Sequence, residues 1–135
     1  MDKLKIKADG EKFTFEPEEN IKTDYLKSFD FKDSSKQLIT IETNEFSAVC
    51  PFSGLPDIAH VKIEYYPVHQ KCVELKSLKY YFVSFRNVGI YQEKVTQRIH
   101  KDLRLLLSTN LLKVTTKYNT RGGFETTCSE GTIQI

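Results

Sequence analysis

No stretch of this chain approaches the run of about 18 apolar residues that a membrane-crossing helix needs. The opening Met1-Asp2-Lys3-Leu4-Lys5 also lacks the apolar core of a signal peptide, so the chain reads as soluble and cytoplasmic. Cysteine is scarce. Cys50, Cys72 and Cys128 are an odd count at wide, irregular spacing, which argues against a disulfide framework and leaves reduced thiols. An excess of one charge is lacking too. A formal net charge of +2, spread along the chain, is too small to predict nucleic-acid binding by electrostatics, and direct binding of that kind is not expected. Internal repeats and low-complexity tracts are absent.

What is there suits one globular domain. The length of 135 residues is too short for two ordinary cores. With 39% apolar and 28% charged residues, the chain has enough hydrophobicity to fold. Residues 1–35 are dense in Lys, Glu and Asp, with Phe13, Phe15, Tyr25, Phe29 and Phe31 scattered among them, and read as an extended N-terminal arm. Residues 36–135 read as the single domain. Apolar and polar residues alternate over 37–43 and again over 60–65, the pattern of half-buried strands, and the prolines and glycine of 50–57 turn the chain between them. Leu75, Leu78, Phe82 and Phe85, then Val95, Ile99, Leu103 and Leu106, recur at steps of three and four, the spacing of amphipathic helices. Strand composition returns over 111–118, breaks at Arg121-Gly122-Gly123, and resumes near 124–127. Two hairpins flanking a helix pair predict an α+β fold of order ββααββ, one antiparallel sheet with both helices on one face. So small a sheet leaves its edges unpaired, and joining sheets between subunits would close them.

Chemistry could sit in three places. Cys50 lies where a strand runs into a Pro/Gly turn, and Asp57 closes that turn. Taken singly, the first is a small buried hydrophobe and the second a turn residue. Together a thiol and a carboxyl are the minimum kit for adding sulfur to an electrophilic carbon and protonating the atom beyond it. Lys76 and Lys79 stand one turn apart, a spacing that suits ligand phosphates as well as a solvated face. Arg121 adds a cation beside Gly122 and Gly123, which permit close backbone approach. Glu93 opens the second helix. There it either caps the helix or offers two acceptor oxygens to the adjacent N–H donors of a guanine-like edge.

The segments Val49-Cys50-Pro51-Phe52-Ser53-Gly54-Leu55-Pro56-Asp57, Val73-Glu74-Leu75-Lys76-Ser77-Leu78-Lys79-Tyr80-Tyr81 and Ser84-Phe85-Arg86-Asn87, then Glu93 and Arg121-Gly122-Gly123, resemble the ordered motifs of the short NADPH-dependent 7-cyano-7-deazaguanine reductases of queuosine biosynthesis. The resemblance spans more than half the chain. It implies a tunnelling fold, whose subunits assemble into a barrel with sites at their interfaces, as pentameric rings or a decamer of two. It also implies that Cys50 forms a thioimide with the nitrile and Asp57 donates the proton. Glu93 anchors the deazaguanine, with Gln92 beside it and Val73, Glu74 and Leu75 lining the substrate, while Lys76, Lys79, Arg121 and Gly122 contact NADPH. Gln92 departs from the family, which usually has histidine there; glutamine hydrogen-bonds but cannot act as an imidazolium acid.

His60, His69, His100, Cys72 and Cys128 match none of these motifs, and no ligand spacing for a metal is found. Two rivals are set against the reductase. An archaeosine-type amidinotransferase would share Cys50 and Asp57 but lack the Lys-bearing helix. A non-catalytic purine- or RNA-binding module of the same fold would keep the pocket without the chemistry.

Overall fold

A strand with Ala59, Val61, Ile63 and Tyr65 at its odd positions and His60, Lys62 and Glu64 at its even ones has one face for a core and one for water. That strand is the middle of the domain in the computed structural model, which describes residues 13–33 and 36–135. The expected arm therefore lies partly outside the described residues, at 1–12 and 34–35. In chain order come strands β1 (Ser28–Asp30), β2 (Ile39–Val49), β3 (Pro56–Tyr65) and β4 (Lys71–Val73), helices α1 (Leu75–Val83) and α2 (Gln92–Leu107), and strands β5 (Leu112–Tyr118) and β6 (Thr127–Thr132). The main sheet is antiparallel, in the order β2-β3-β5-β6. Its inward residues Val61, Ile63, Tyr65, Leu112 and Val114 meet Leu78 and Phe82 of α1 and Ile99 and Leu103 of α2 in one core. The two-strand, two-helix, two-strand order thus holds, with a small β1-β4 sheet added to it.

Three differences from the sequence reading have physical causes. The first strand runs on to Val49 because its register with β3 shifts between Thr43 and Phe46. A bulge there reverses which parity faces inward, so the alternation legible up to Thr43 breaks while the strand continues. The last strand lies at Thr127–Thr132 rather than near 124–127. It is mostly exposed, carries no apolar face, and is defined only by its ladder to β5, from Lys117↔Thr127 to Leu112↔Thr132. The described part of the arm, 13–33, is docked rather than free. Ile21 and Leu26 are buried in the core, and Ser28–Asp30 pairs with Lys71–Val73.

Packing around the helix pair is aromatic. Phe46 meets the edges of Phe82 and Phe85 at centroid distances of 5.3 and 5.2 Å, and Tyr81 meets Phe85 at 5.1 Å. Such pairs contribute about 0.5–1.5 kcal/mol each beyond their buried area. The Tyr81 hydroxyl donates to Asp102 (2.6 Å), which also accepts from Arg98 Nε (2.9 Å) and the Thr23 hydroxyl (3.1 Å), so one buried carboxylate ties α1, α2 and the arm together. Asp102→Ala leaves a buried phenol and a part-buried guanidinium short of a partner. The expected cost is about 2–4 kcal/mol in urea unfolding, and a loss within experimental error would show that water replaces the carboxylate. No helix among the described residues is long and apolar enough to cross a membrane.

Candidate active site

Cys50 directly follows β2, at a turn built to hold it. The Cys50 N–H donates to the Leu55 carbonyl (2.9 Å), and the Cys50 carbonyl accepts from the Gly54 N–H (2.7 Å). Gly54 has φ +72°, a left-handed value that a side chain would strain. Within the turn, Ser53 Oγ accepts from the Leu55 N–H (3.2 Å), which orients the hydroxyl. Burial alone raises the Cys50 thiol. The Ser53 N–H and hydroxyl and the Phe52 N–H outweigh it and bring the pKa below the ordinary thiol value, against the opposing charge of Asp57. A half-buried thiol with a lowered pKa has the chemistry a nucleophile needs.

Asp57 is the second residue of β3, opposite Ala48, and points inward where the rest of the strand is apolar. It is 4% exposed, and its partner is Arg121, whose guanidinium donates to Oδ1. Arg121 stands in the β5–β6 connection, where Arg121 and Phe124 exchange both backbone hydrogen bonds at 2.9 Å across Gly122 (φ +58°) and Gly123 (φ +84°). Two successive positive φ values make a tight hairpin turn, which a Gly-Gly pair forms without strain. Gln92 and Glu93 begin α2, and the N-terminal helix dipole favours a carboxylate at Glu93. The Gln92 carbonyl accepts from the Thr96 hydroxyl (3.3 Å) and the Tyr118 hydroxyl (3.5 Å). Cys50, Asp57, Gln92, Glu93 and Arg121 line one cavity of about 250 Å³.

Four of the remaining expected residues line two other cavities of the single chain. Glu74 and Lys76 line one of about 470 Å³ with Tyr25 and Tyr80, while Leu75 and Lys79 line another of about 230 Å³ with Arg86. Val73 is buried, and its N–H donates to the Tyr65 hydroxyl (3.0 Å). Glu74 caps α1, its two oxygens accepting from the N–H of Lys76 (2.7 Å) and Ser77 (3.1 Å). Lys76 and Lys79 are exposed and form no ion pair among the described residues, and a Cβ on Gly122 would meet nothing within 4 Å. Free ammonium groups and an open glycine suit a phosphate-bearing cofactor such as NADPH. Arg121 does not yet fit that role, being engaged by Asp57.

Three further groups at the site escaped the sequence reading. Ser53 donates toward the Cys50 sulfur from within the turn and lowers its pKa, and its only signal was a hydroxyl three residues past a cysteine. Tyr91 lines the cavity with a 57% exposed ring next to Gln92. Tyr118 sits behind the cavity, where burial first, then the charges of Asp57, Cys128 and Glu93, push its phenol up. The spacing of 118 from 57 and 93 carries no hint of that proximity.

With the geometry in place, comparison with known proteins decides the lineage. The family model described as QueF-like protein matches residues 56–134. The chain is 59% identical over 128 residues to proteins of Thermotoga petrophila and Thermotoga maritima named NADPH-dependent 7-cyano-7-deazaguanine reductase, covering 95% of this chain and 93% of each relative. This chain belongs to the QueF-like family. A protein of the same name from Caldicellulosiruptor bescii is 47% identical over 109 residues, covering 80% of this chain and 82% of its own length. Among solved structures, an archaeosine synthase QueF-Like in the apo form superposes with a TM-score of 0.68 at 22% identity, over 76% of this chain and 99% of that one. At that identity the likeness concerns the fold, and it places this QueF-like chain in the α+β tunnelling architecture.

Proposed function

We propose that this chain reduces the nitrile of 7-cyano-7-deazaguanine to an aminomethyl group with NADPH, as the names of its QueF-like relatives imply for them. The observation that carries the reading is the single cavity in which an activated thiol, Cys50, meets a buried carboxyl, Asp57, and a helix-terminal carboxylate, Glu93. Cys50 sulfur bonds to the nitrile carbon, and the thiol proton passes by way of Asp57 to the nitrile nitrogen, giving a thioimide with no net proton taken up. NADPH, when bound, would supply two hydrides, and two protons drawn from solvent complete the change of the nitrile to the amine. Cys50 leaves as thiolate between the two reductions, and the imine must then stay enclosed. Glu93 accepts two N–H donors of the ring and orients the nitrile toward Cys50, with Gln92 as a neutral neighbour where an acid is not required.

The main sheet leaves β2 and β6 as its edges, and its antiparallel order lets the β6 edge of one copy pair with β2 of the next. We read the protein as a homo-oligomeric ring on that basis. Such a ring brings Val73, Glu74, Leu75, Lys76 and Lys79 of one copy toward the Cys50 cavity of its neighbour, which accounts for their separation within one chain.

The direct test mixes protein, 7-cyano-7-deazaguanine and NADPH and follows the absorbance of the reduced nicotinamide. Consumption of two NADPH per nitrile is expected. A folded protein that oxidises none, or that turns the nitrile over with ammonia instead, overturns the reading. Lys76→Ala and Lys79→Ala should each raise the Michaelis constant for NADPH by about tenfold, the low end for a charge-assisted contact because both side chains are exposed and screened. The thioimide, formed before any hydride moves, should be unaffected in both. Wild-type NADPH kinetics in both variants would make α1 a solvated face only.

A further inference from the structure

Two glycines beside the active site make room for the same short segment of the arm. A Cβ built on Gly54, in the nucleophile turn, would lie 2.9 Å from the Phe13 Cβ and 3.0 Å from the Phe13 carbonyl oxygen. One built on Gly89, two residues before Tyr91, would overlap the Phe15 ring. The backbone is tied as well. The Glu16 N–H donates to the Asn87 carbonyl (2.7 Å), and the Gly89 N–H donates to the Glu16 carbonyl (2.9 Å). On the other side of the same loop, the Val49 N–H donates to the Val88 carbonyl (2.9 Å) and the Ile90 N–H to the Val49 carbonyl (3.0 Å). The loop that leads into α2 is thus gripped between the strand end that carries Cys50 and residues 13–16.

We propose that residues 13–16 are a positioning brace for the reaction, setting the nucleophile turn and the loop that delivers Gln92 and Glu93 at a fixed separation by packing on Gly54 and Gly89 together. The inference rests on the reading of Cys50 as nucleophile and Glu93 as substrate anchor, and it gives the arm a part in catalysis. Its physical basis is tolerance: a reacting sulfur displaced by about 1 Å from its carbon loses on the order of a hundredfold in rate. The donors that favour the thiolate, from Phe52 and Ser53, reach the sulfur only while the turn stays tight. The brace does not line the cavity that holds Cys50, so it acts through the turn and the loop.

The test uses the full chain with Phe15→Ala, Phe15→Leu, Gly89→Ala and the Phe15→Ala/Gly89→Ala double variant. Two quantities are followed by mass spectrometry: the pH midpoint of iodoacetamide alkylation on the peptide carrying Cys50, and the rate of nitrile adduct formation at saturating substrate. The ionisable groups facing Cys50 from the surrounding elements are Asp57 on β3, Tyr91 and Glu93 at α2, and Arg121 in the β5–β6 turn, all unchanged in these variants. Phe15→Ala should move the midpoint upward and slow adduct formation about tenfold or more, while nitrile affinity holds. Phe15→Leu should recover most of both. Gly89→Ala should act like Phe15→Ala by displacing the ring, and the double variant should not recover. Variants that lose thermal stability but keep the wild-type midpoint and rate would overturn the brace, as would recovery in the double variant, which would mean that Gly89 needs only space. If Phe15→Ala does not fold, Phe15→Leu and Gly89→Ala carry the same outcomes. Alkylation needs no nitrile, so a wild type that forms no adduct would sink the reductase reading while the midpoints still decide the brace.

Discussion

Cys50→Ala is expected to remove the substrate adduct completely and to lower NADPH turnover by at least about a thousandfold, the loss typical of deleting a covalent nucleophile. Neither other thiol is placed to replace it. Cys72 is buried in β4 beneath Tyr65, and Cys128 lies on the edge strand opposite Thr116, whereas Cys50 alone shares the cavity with Asp57. Intact-mass measurement after incubation with 7-cyano-7-deazaguanine and no NADPH should show one added substrate in wild type and none in the variant. The fold should survive, because the turn is held by backbone hydrogen bonds of residues 50, 54 and 55 that alanine keeps. An adduct persisting in Cys50→Ala would move the nucleophile elsewhere. In the wild type, adduct formation should fall with pH as the thiolate forms, because the proton that Asp57 passes to nitrogen is then already lost to solvent. Its half-maximum should fall below the ordinary thiol value, since the Ser53 and Phe52 donors outweigh burial and the Asp57 charge.

Asp57→Asn separates two reactions of the same sulfur. Asparagine keeps the shape of the side chain but cannot take the thiol proton and pass it to nitrogen, so adduct formation should slow by about a hundredfold or more, in the usual range for a lost general acid. The carboxylate charge also opposes the thiolate. Its removal should therefore shift Cys50 alkylation by iodoacetamide to lower pH, making the thiol more reactive toward a reagent that needs no protonation. Nitrile addition slowed while alkylation is eased is the signature of a proton donor. Equal slowing of both would instead make Asp57 a structural partner of Arg121, whose side chain is 42% exposed and can turn to water when the carboxylate is gone. Under the proposed function, the same freedom would let Arg121 exchange Asp57 for a cofactor phosphate. Arg121→Ala should consequently alter both adduct formation and NADPH use, unlike the lysine variants, which should touch only the second.

Local patterns determined much of this protein without help from the fold. The period of two over 60–65 and the steps of three and four from Leu75 and from Val95 are consequences of chain geometry within a few residues, and they specified the sheet, both helices and their order. The turn motif around Cys50 and Asp57 was equally local, since Pro51, Gly54 and Pro56 dictate where the chain reverses. Tertiary structure decided everything that depends on a partner distant in sequence. The bulge that carries β2 to Val49 exists because β3 imposes the register, and β6 is a strand only because β5 offers its edge. The family resemblance implied a cofactor contact for Arg121 and a substrate contact for Glu74, and no local pattern showed their partners within the chain. Folding brings Arg121 onto Asp57, 64 positions away, and turns Glu74 onto the first N–H groups of α1, because a buried carboxylate and an open helix end each need a partner. The arm shows the difference most plainly. Its scattered aromatics have no period and so no local message, and it is packing on Gly54 and Gly89, with the Glu16 backbone hydrogen bonds, that places residues 13–16 beside the Cys50 turn.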